Sequence, residues 1–351
     1  MALRLTDVSY TYSIGAAGSG INVGTSTDKS TSAGTSRCRG TDKGKGTGVG
    51  KGTGGAQAVT ALQGVSLSVE PGEMVLIAGA TGSGKSTLLR LAAGLLECGS
   101  GQITLDGEAL TPGLARGRVG LVFQDPESQL FAETLAEDVA FGPKNLGVAP
   151  DKAIALAHDV LKRVGLDPKQ YAGRSPFSLS GGEARRAAIA GVLALAPDYL
   201  LADEPTVGLD SYGRARVRRV LDETRRSAGV LVVSHQLEEF LAKADRVVIL
   251  AQGVIAWQGS SDEALSDPQL FLGNGLVPPE ILEVQQLLIR RGLPLDGISL
   301  DPGVAATGVA AALESAGTRT DTNADASMNM DAGAGANTDA ITDMIAIADG
   351  R

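Results

Sequence analysis

The feature that most constrains this chain is GATGSGKS, Gly79 to Ser86, set between an apolar run, MVLIA, and a helix-forming stretch, STLLRLAA. The spacing matches GxxxxGK[ST], and a strand before it with a helix after it is the context in which that pattern binds phosphate. Such a turn lets the backbone N–H groups of Gly79, Ala80, Thr81, Gly82, Ser83 and Gly84 point inward, while the helix N-terminus adds positive partial charge. Lys85 is then placed to reach β- and γ-phosphates, the Ser86 hydroxyl to ligate Mg²⁺, and Thr87 follows on the same turn. A glycine-rich turn that matched by chance would not need both flanks. A second run, KGKGTGVGKGTGG (Lys43 to Gly55), has the composition of a phosphate loop but neither flank.

Around that loop the composition divides the chain. Residues 13–57 are rich in Gly, Ser and Thr with almost no large apolar side chains. Such a segment cannot bury enough surface to offset its ordering entropy, and it reads as a flexible insertion. Residues 301–351 form a second low-complexity region, expected as a disordered acidic tail. Between them, apolar runs predict strands at Gly64–Val69, Glu73–Gly79, Val119–Phe123, Tyr199–Ala202, Val230–Val233 and Arg246–Leu250. Helical periodicity covers Lys85–Ala93, Asp151–Val164, Gly182–Ala196 and Tyr212–Arg226. Strands alternating with helices imply an α/β fold with a parallel sheet, and the consecutive helices of 125–185 read as an insertion into it.

A strand ending on adjacent carboxylates, YLLADE (Tyr199 to Glu204), is costly unless they face a cation or a reaction. Asp203 is placed to hold Mg²⁺ through water and Glu204 to act as general base on an attacking water. LSGGE, Leu179 to Glu183, opens a helix; Ser180, Gly181 and Gly182 at its N-terminus form a second anion site by the backbone logic of the first, although a bare capping box would have the same sequence. One nucleotide does not need two phosphate sites on one chain. Two copies facing head to tail resolve this, each lending its LSGGE to the other's phosphates. His235, in VVSHQLEE, follows an apolar strand on the sheet edge that carries Asp203 and Glu204, within reach of a γ-phosphate.

In this order these elements resemble the ATP-binding cassette ATPases, from Ala2 to about Leu250 apart from the insertion. The resemblance implies a RecA-like P-loop NTPase core with a parallel sheet, an N-terminal antiparallel β subdomain and an inserted helical subdomain, together spanning 1–258. It implies that Gln124 meets Mg²⁺ and the attacking water, that Tyr12 stacks on adenine (Tyr10 lies close by in the same strand), and that Asp210, in GLD, communicates across a dimer holding two ATP molecules. FQDPESQLFAETLAEDVAFGPKNLG and the extension LVPPEILEVQQLLIRRGLPL, within 259–300, look like the ATP-binding subunits of energy-coupling factor transporters of the cobalt, nickel and vitamin type. That family pairs two ATPases, identical or paralogous, beneath an integral membrane coupling protein that holds a separate substrate-binding membrane subunit. The implied location is the cytoplasmic face of the membrane. Gln236 after His235, the insertion and the tail depart from the pattern, and none of them removes a catalytic group.

Charge separates this reading from a cassette ATPase that works on nucleic acid or ribosomes. Of the net charge of −9, the eight acids and two arginines from Asp301 onward supply six negatives, leaving a nearly neutral body without the basic face that a nucleic-acid partner requires. The longest apolar stretch, Ala187 to Ala196, falls short of the ~20 residues of a membrane span. Two cysteines, Cys38 and Cys98, make no disulfide framework.

Overall fold

Two kinds of apolar pattern build two different sheets. In chain order the first elements are β1 (Leu3–Ile14), β2 (Gln57–Val69), β3 (Met74–Ala78) and α1 (Lys85–Ala92). Along β1 the burial alternates, with Leu3, Leu5, Val8 and Tyr10 inside and Arg4, Thr6 and Thr11 outside, whereas β3 is buried at every position. Alternation suits an antiparallel sheet with one wet face; a continuous apolar run suits a parallel strand covered on both faces. The computed structural model describes residues 1–14, 57–125 and 129–320. The glycine-rich run at 43–55, most of the insertion, residues 126–128 and residues 321–351 lie outside the described residues.

Next come β4 (Ser100–Leu105), β5 (Glu108–Ala109), α2 (Pro112–Ala115) and β6 (Val119–Val122). An antiparallel sheet forms in the order β2-β1-β4-β5. Then follow α3 (Leu135–Asn145), α4 (Pro150–Arg163), α5 (Pro168–Tyr171) and α6 (Gly181–Leu193), the consecutive helices expected from the sequence. Last in this part are β7 (Tyr199–Asp203), α7 (Ser211–Thr224), β8 (Gly229–Val233), α8 (Leu237–Phe240), β9 (Arg246–Ala251) and β10 (Val254–Ser260). The second sheet runs β10-β9-β3-β8-β7-β6, with every pairing from β9 to β6 parallel. Leu5, Leu62 and Leu67 from the first sheet, Ile77 and Leu231 from the second, and Leu88 and Leu89 from α1 share one buried core.

Two boundaries differ from the sequence reading. Ser13, Ile14 and Gln57, assigned to the flexible insertion, extend the strand pair, with Ser13 opposite Ala58 and Ile14 opposite Gln57; the strand pairing continues past the point where the composition turns to Ser, Gly and Thr. Residues 302–320, assigned to the disordered tail, form a helix, α12 (Pro302–Thr320). Pro302 opens it, and Asp301 Oδ1 accepts from the Val304 amide at 3.0 Å. Ala305, Ala306, Val309 and Ala312 are buried at helical spacing. Alanine-rich composition reads as low complexity, yet alanine is the strongest helix former.

The described residues divide into two units: those of Met1–His235 with Lys243–Gln258, and Gln236–Ala242 with those from Gly259 to Thr320. The second contains α9 (Ser261–Ser266), α10 (Gln269–Leu272), α11 (Glu280–Arg290) and α12, and also takes α8, which the sequence reading kept with the first. Buried Gln285 staples it, donating to the carbonyls of Ile281 at 2.9 Å and Ser299 at 2.7 Å and accepting from the Ser299 amide at 3.0 Å. Among the described residues no helix is long and apolar enough to cross a membrane. Leu201, fully buried at the centre of β7, tests the core of the first unit: Leu201→Ala should lower the unfolding free energy by about 2–5 kcal/mol, measured by urea denaturation with an unchanged slope.

Candidate active site

The register of the parallel strands collects the candidate residues at one sheet edge. Ile77 pairs with Val233, Val233 with Asp203, and Ala202 with Val122. Within two residues of these positions come the phosphate loop, His235, Glu204 and Gln124, so all four leave the sheet at its carboxyl end, where ligands of open α/β sheets bind.

The loop itself is closely packed. A Cβ on Gly79 would stand 2.3 Å from the Leu250 carbonyl oxygen and 2.6 Å from Ser83 Oγ. Gly84, at φ +106°, takes a left-handed backbone that glycine alone adopts without cost, and a Cβ there would lie 2.5 Å from the Ala61 carbonyl. Lys85 folds back over the loop: Nζ donates to the carbonyls of Gly79 at 2.7 Å and Ala80 at 2.9 Å. Burial pushes its pKa below the ordinary ammonium value, opposed by the nearby carboxylates of Glu204 and Asp203. Tyr12 reaches the same turn, its hydroxyl 3.3 Å from Thr87 Oγ1. Tyr10 is buried in the core with its ring edge-on to Tyr12 at 4.8 Å, so of the two tyrosines Tyr12 is the one with an accessible face.

Asp203 and Glu204 are both 7% exposed. Glu204 carries φ +50°, a left-handed conformation in a residue other than glycine, at a cost of roughly 1–3 kcal/mol that surrounding bonds must offset. Its amide donates to the Val233 carbonyl at 2.9 Å. Its carboxylate lies 2.8 Å from His235 Nδ1 and accepts the His235 amide at 3.1 Å. The Glu204 carbonyl accepts Arg185 Nη1 at 2.6 Å, and Arg185 Nη2 donates to the Gln124 carbonyl at 2.7 Å. Sequence reading passed over Arg185. Its one signal is a pair of cations, Arg185 and Arg186, at the start of a helix whose following ten residues, Ala187 to Ala196, are apolar, a helix that must be buried nearly all round.

The remaining candidates gather around the start of α6. Ser180 caps the helix, with Glu183 completing a capping box. Glu183 Oε2 accepts the Ser180 amide at 2.8 Å and Ser180 Oγ at 2.9 Å, while Oε1 accepts the Tyr171 hydroxyl at 2.6 Å. Gly181 is open to solvent, and Gly182 lies against Leu209 and Gly208. Asp210 caps α7, accepting the Gly213 amide at 2.7 Å. The structure therefore makes two clusters, one at the phosphate loop and one at the helix start, with Arg185 on α6 reaching from the second to the first.

A family model described as ABC transporter matches residues 62–207. The energy-coupling factor transporter ATP-binding protein EcfA2 of Enterococcus faecalis is 39% identical over 249 residues, 68% of this chain and 86% of that protein. The chain belongs to the ABC transporter ATPase family. The EcfA2 protein of Symbiobacterium thermophilum is 42% identical over 257 residues, covering 70% of this ABC ATPase and 88% of its relative. Among solved structures, cbiO1 of Clostridium perfringens, part of the ABC transporter complex cbiONQ, is 26% identical with a TM-score of 0.57, covering 81% of this chain and 98% of that one. An ATP-binding cassette in a dimeric post-hydrolysis state bound to ADP and Pi shares the fold, at 24% identity and a TM-score of 0.57 over 74% of this chain. This ABC ATPase thus has the P-loop cassette fold, and its family hydrolyses ATP to drive transport.

The Tyr171 bond first, and then the Ser180 amide, hold the Glu183 carboxyl below the usual carboxylate range. A lowered folded-state pKa contributes stability above the ordinary carboxylate value of about 4.3 that disappears as pH falls through the folded value. Glu183→Gln should therefore be roughly 1 kcal/mol less stable than the parent at neutral pH, and denaturation curves of the two should converge as the pH drops below that range.

Proposed function

We propose that this chain is the ATP-hydrolysing energy-coupling subunit of an importer of the energy-coupling factor type, working at the cytoplasmic face of the membrane. In this reading it pairs head to tail with a second cassette, itself or a paralogue, and drives an integral membrane coupling protein for uptake of a vitamin or transition-metal ion. The observation that carries the hydrolytic part is Glu204, a buried carboxylate at the phosphate-loop edge, held from two sides by the ring and the amide of His235.

Each residue then has a task. The amides of Gly79 to Gly84 cradle the phosphates, Lys85 exchanges its loop carbonyls for β- and γ-phosphate oxygens, and Tyr12 stacks on adenine beside Thr87. Glu204 takes a proton from a water as the water oxygen bonds to the γ-phosphorus, the bond to the ADP oxygen breaks, and ADP and inorganic phosphate leave. His235, bonded to Glu204 through Nδ1, orients the base and presents its other nitrogen towards the γ-phosphate. Ser180, Gly181 and Gly182 bind the phosphates of the partner's nucleotide, and Asp210 lies at the same interface.

The donor set also fits Mg²⁺. Among the described residues no group of three or more His, Cys, Asp or Glu side chains could hold a metal ion by itself. Mg²⁺ in nucleotide sites is held by one or two side-chain oxygens together with phosphates and waters, which Ser86, Asp203 and Gln124 can supply. Bound there, the ion would neutralise developing phosphate charge.

Support for a membrane partner comes from the helical segment. Asp138 accepts the amides of Phe131 and Ala132, both at 2.8 Å, and so fixes the turn before α3. That turn presents Phe131, 57% exposed, edge-on to Phe141, 46% exposed, with ring centroids 4.7 Å apart. An exposed aromatic pair is a natural anchor for a protein partner.

Glu204→Gln should keep ATP binding and reduce turnover by roughly 10²–10⁴-fold; near-normal phosphate release would remove Glu204 as the base. Phe141→Asp should leave the ATPase activity of the isolated chain in place and abolish co-purification with integral membrane proteins. Undiminished co-purification would rule out the aromatic pair as the docking point.

A further inference from the structure

We propose that Arg185 is a positioning residue for hydrolysis: from α6 it grips the backbone of Glu204 and of Gln124 together, so that the helix beginning at the second anion site sets the geometry of the general base. This rests on the reading of Glu204 as that base.

The Arg185 side chain is out of solvent, its residue only 9% exposed, on the α6 face that it shares with buried Ala188 and Ile189, three and four residues on. Burying a guanidinium is unfavourable unless its N–H groups find acceptors, and burial does lower its pKa, opposed by Glu204 and Asp125. An apolar side chain would fill the same space at no such cost. What the arginine adds is a planar fork whose two terminal nitrogens reach separate carbonyls, Glu204 at 2.6 Å and Gln124 at 2.7 Å.

Both carbonyls stand where a strand has just ended. The left-handed backbone of Glu204 turns its peptide out of the β7 ladder, leaving the carbonyl to Arg185 and to the weaker Val207 amide at 3.3 Å. That peptide plane determines where the carboxylate points, and the carboxylate must stay within 2.8 Å of His235 Nδ1. Gln124 is in the same position at the end of β6: exposed, with its carbonyl held by the other arm of the fork. Arg185 lies one turn beyond Ser180, Gly181 and Gly182, within the same hydrogen-bonded helix. A shift of α6 on engaging a partner's nucleotide is therefore delivered to the base and to Gln124 through one rigid side chain.

Lysine separates this role from simple packing or charge, because an ammonium is a point donor and cannot reproduce the fork. The test compares Arg185→Lys and Arg185→Met with the parent in the full chain. It measures nucleotide-binding stoichiometry, KM, kcat per binding site, and hydrogen exchange of the segments 121–125 and 202–208 without nucleotide. Misplacing a catalytic group should lower kcat per binding site by roughly 10–10²-fold in both variants, with stoichiometry kept and KM within about threefold. Exchange should quicken in the two segments and not in β3.

A lysine variant with kcat within about twofold of the parent overturns the proposal. So does a loss of kcat in proportion to lost binding stoichiometry, which is the mark of misfolding. Unchanged exchange in the two segments overturns it whatever the turnover. If instead the parent chain hydrolyses no ATP, the proposed function fails, and the arginine bridge is judged by the exchange result alone.

Discussion

Four parallel strands in fixed register carry everything else in this molecule. β3, β8, β7 and β6 are buried along most of their length and end in line, which delivers the phosphate loop, His235, Glu204 and Gln124 to one edge. Buried apolar strands specify register weakly by themselves, since one valine fits much like the next. The polar bonds at their opposite ends supply what is missing. Arg246, opening β9, bonds Glu73 at 2.9 Å and the Ser68 carbonyl. Arg118, just before β6, spans Asp198 at 2.7 Å and Asp106, and Tyr199 adds its hydroxyl to Asp106 at 3.1 Å. Half-exposed ion pairs of this kind add little stability. Their contribution is alignment, because a slip of one residue would turn Asp203 to the opposite face.

With the strand starts pinned, strain is free to collect at the strand ends. Glu204 is left-handed, Gly84 is left-handed, and Gly79 stands where no side chain fits. Every one of these positions turns the backbone sharply away from the sheet so that polar groups meet in a small volume. The two glycines take these conformations without strain, and the cost at Glu204 is offset by its bonds to Val233, His235 and Arg185.

Much of this was legible in the sequence, for identifiable reasons. MVLIA followed by GATGSGKS states a strand, a turn and a helix through local chemistry alone, and YLLADE states a strand that ends on paired carboxylates. Continuous apolar runs against alternating ones separate the two sheets. What remained hidden depends on contacts between distant residues. Tyr10 and Tyr12 are equivalent by period and differ only in what packs over them. Arg185 looks like any arginine near a helix start until its bonds to the Glu204 and Gln124 carbonyls are seen. Alanine and glycine around α12 carry both a helix signal and a low-complexity signal, and burial of Ala305, Ala306 and Val309 decides between them.

The start of α6 shows why such a site would need a second chain. A helix N-terminus attracts anions through its unpaired amides and dipole, but here Glu183 already supplies a carboxylate to the Ser180 amide and hydroxyl. A phosphate arriving alone would compete with a tethered anion that costs no entropy to bring in, and would meet its negative charge as well. Binding becomes favourable only if the phosphate is delivered already held, by a loop and lysine like those of Gly79 to Lys85 on another cassette. In the function proposed above, the capping box would disfavour a free anion at the helix end and leave it open to a phosphate held by a partner, so that nucleotide binding and pairing of two cassettes would become one event.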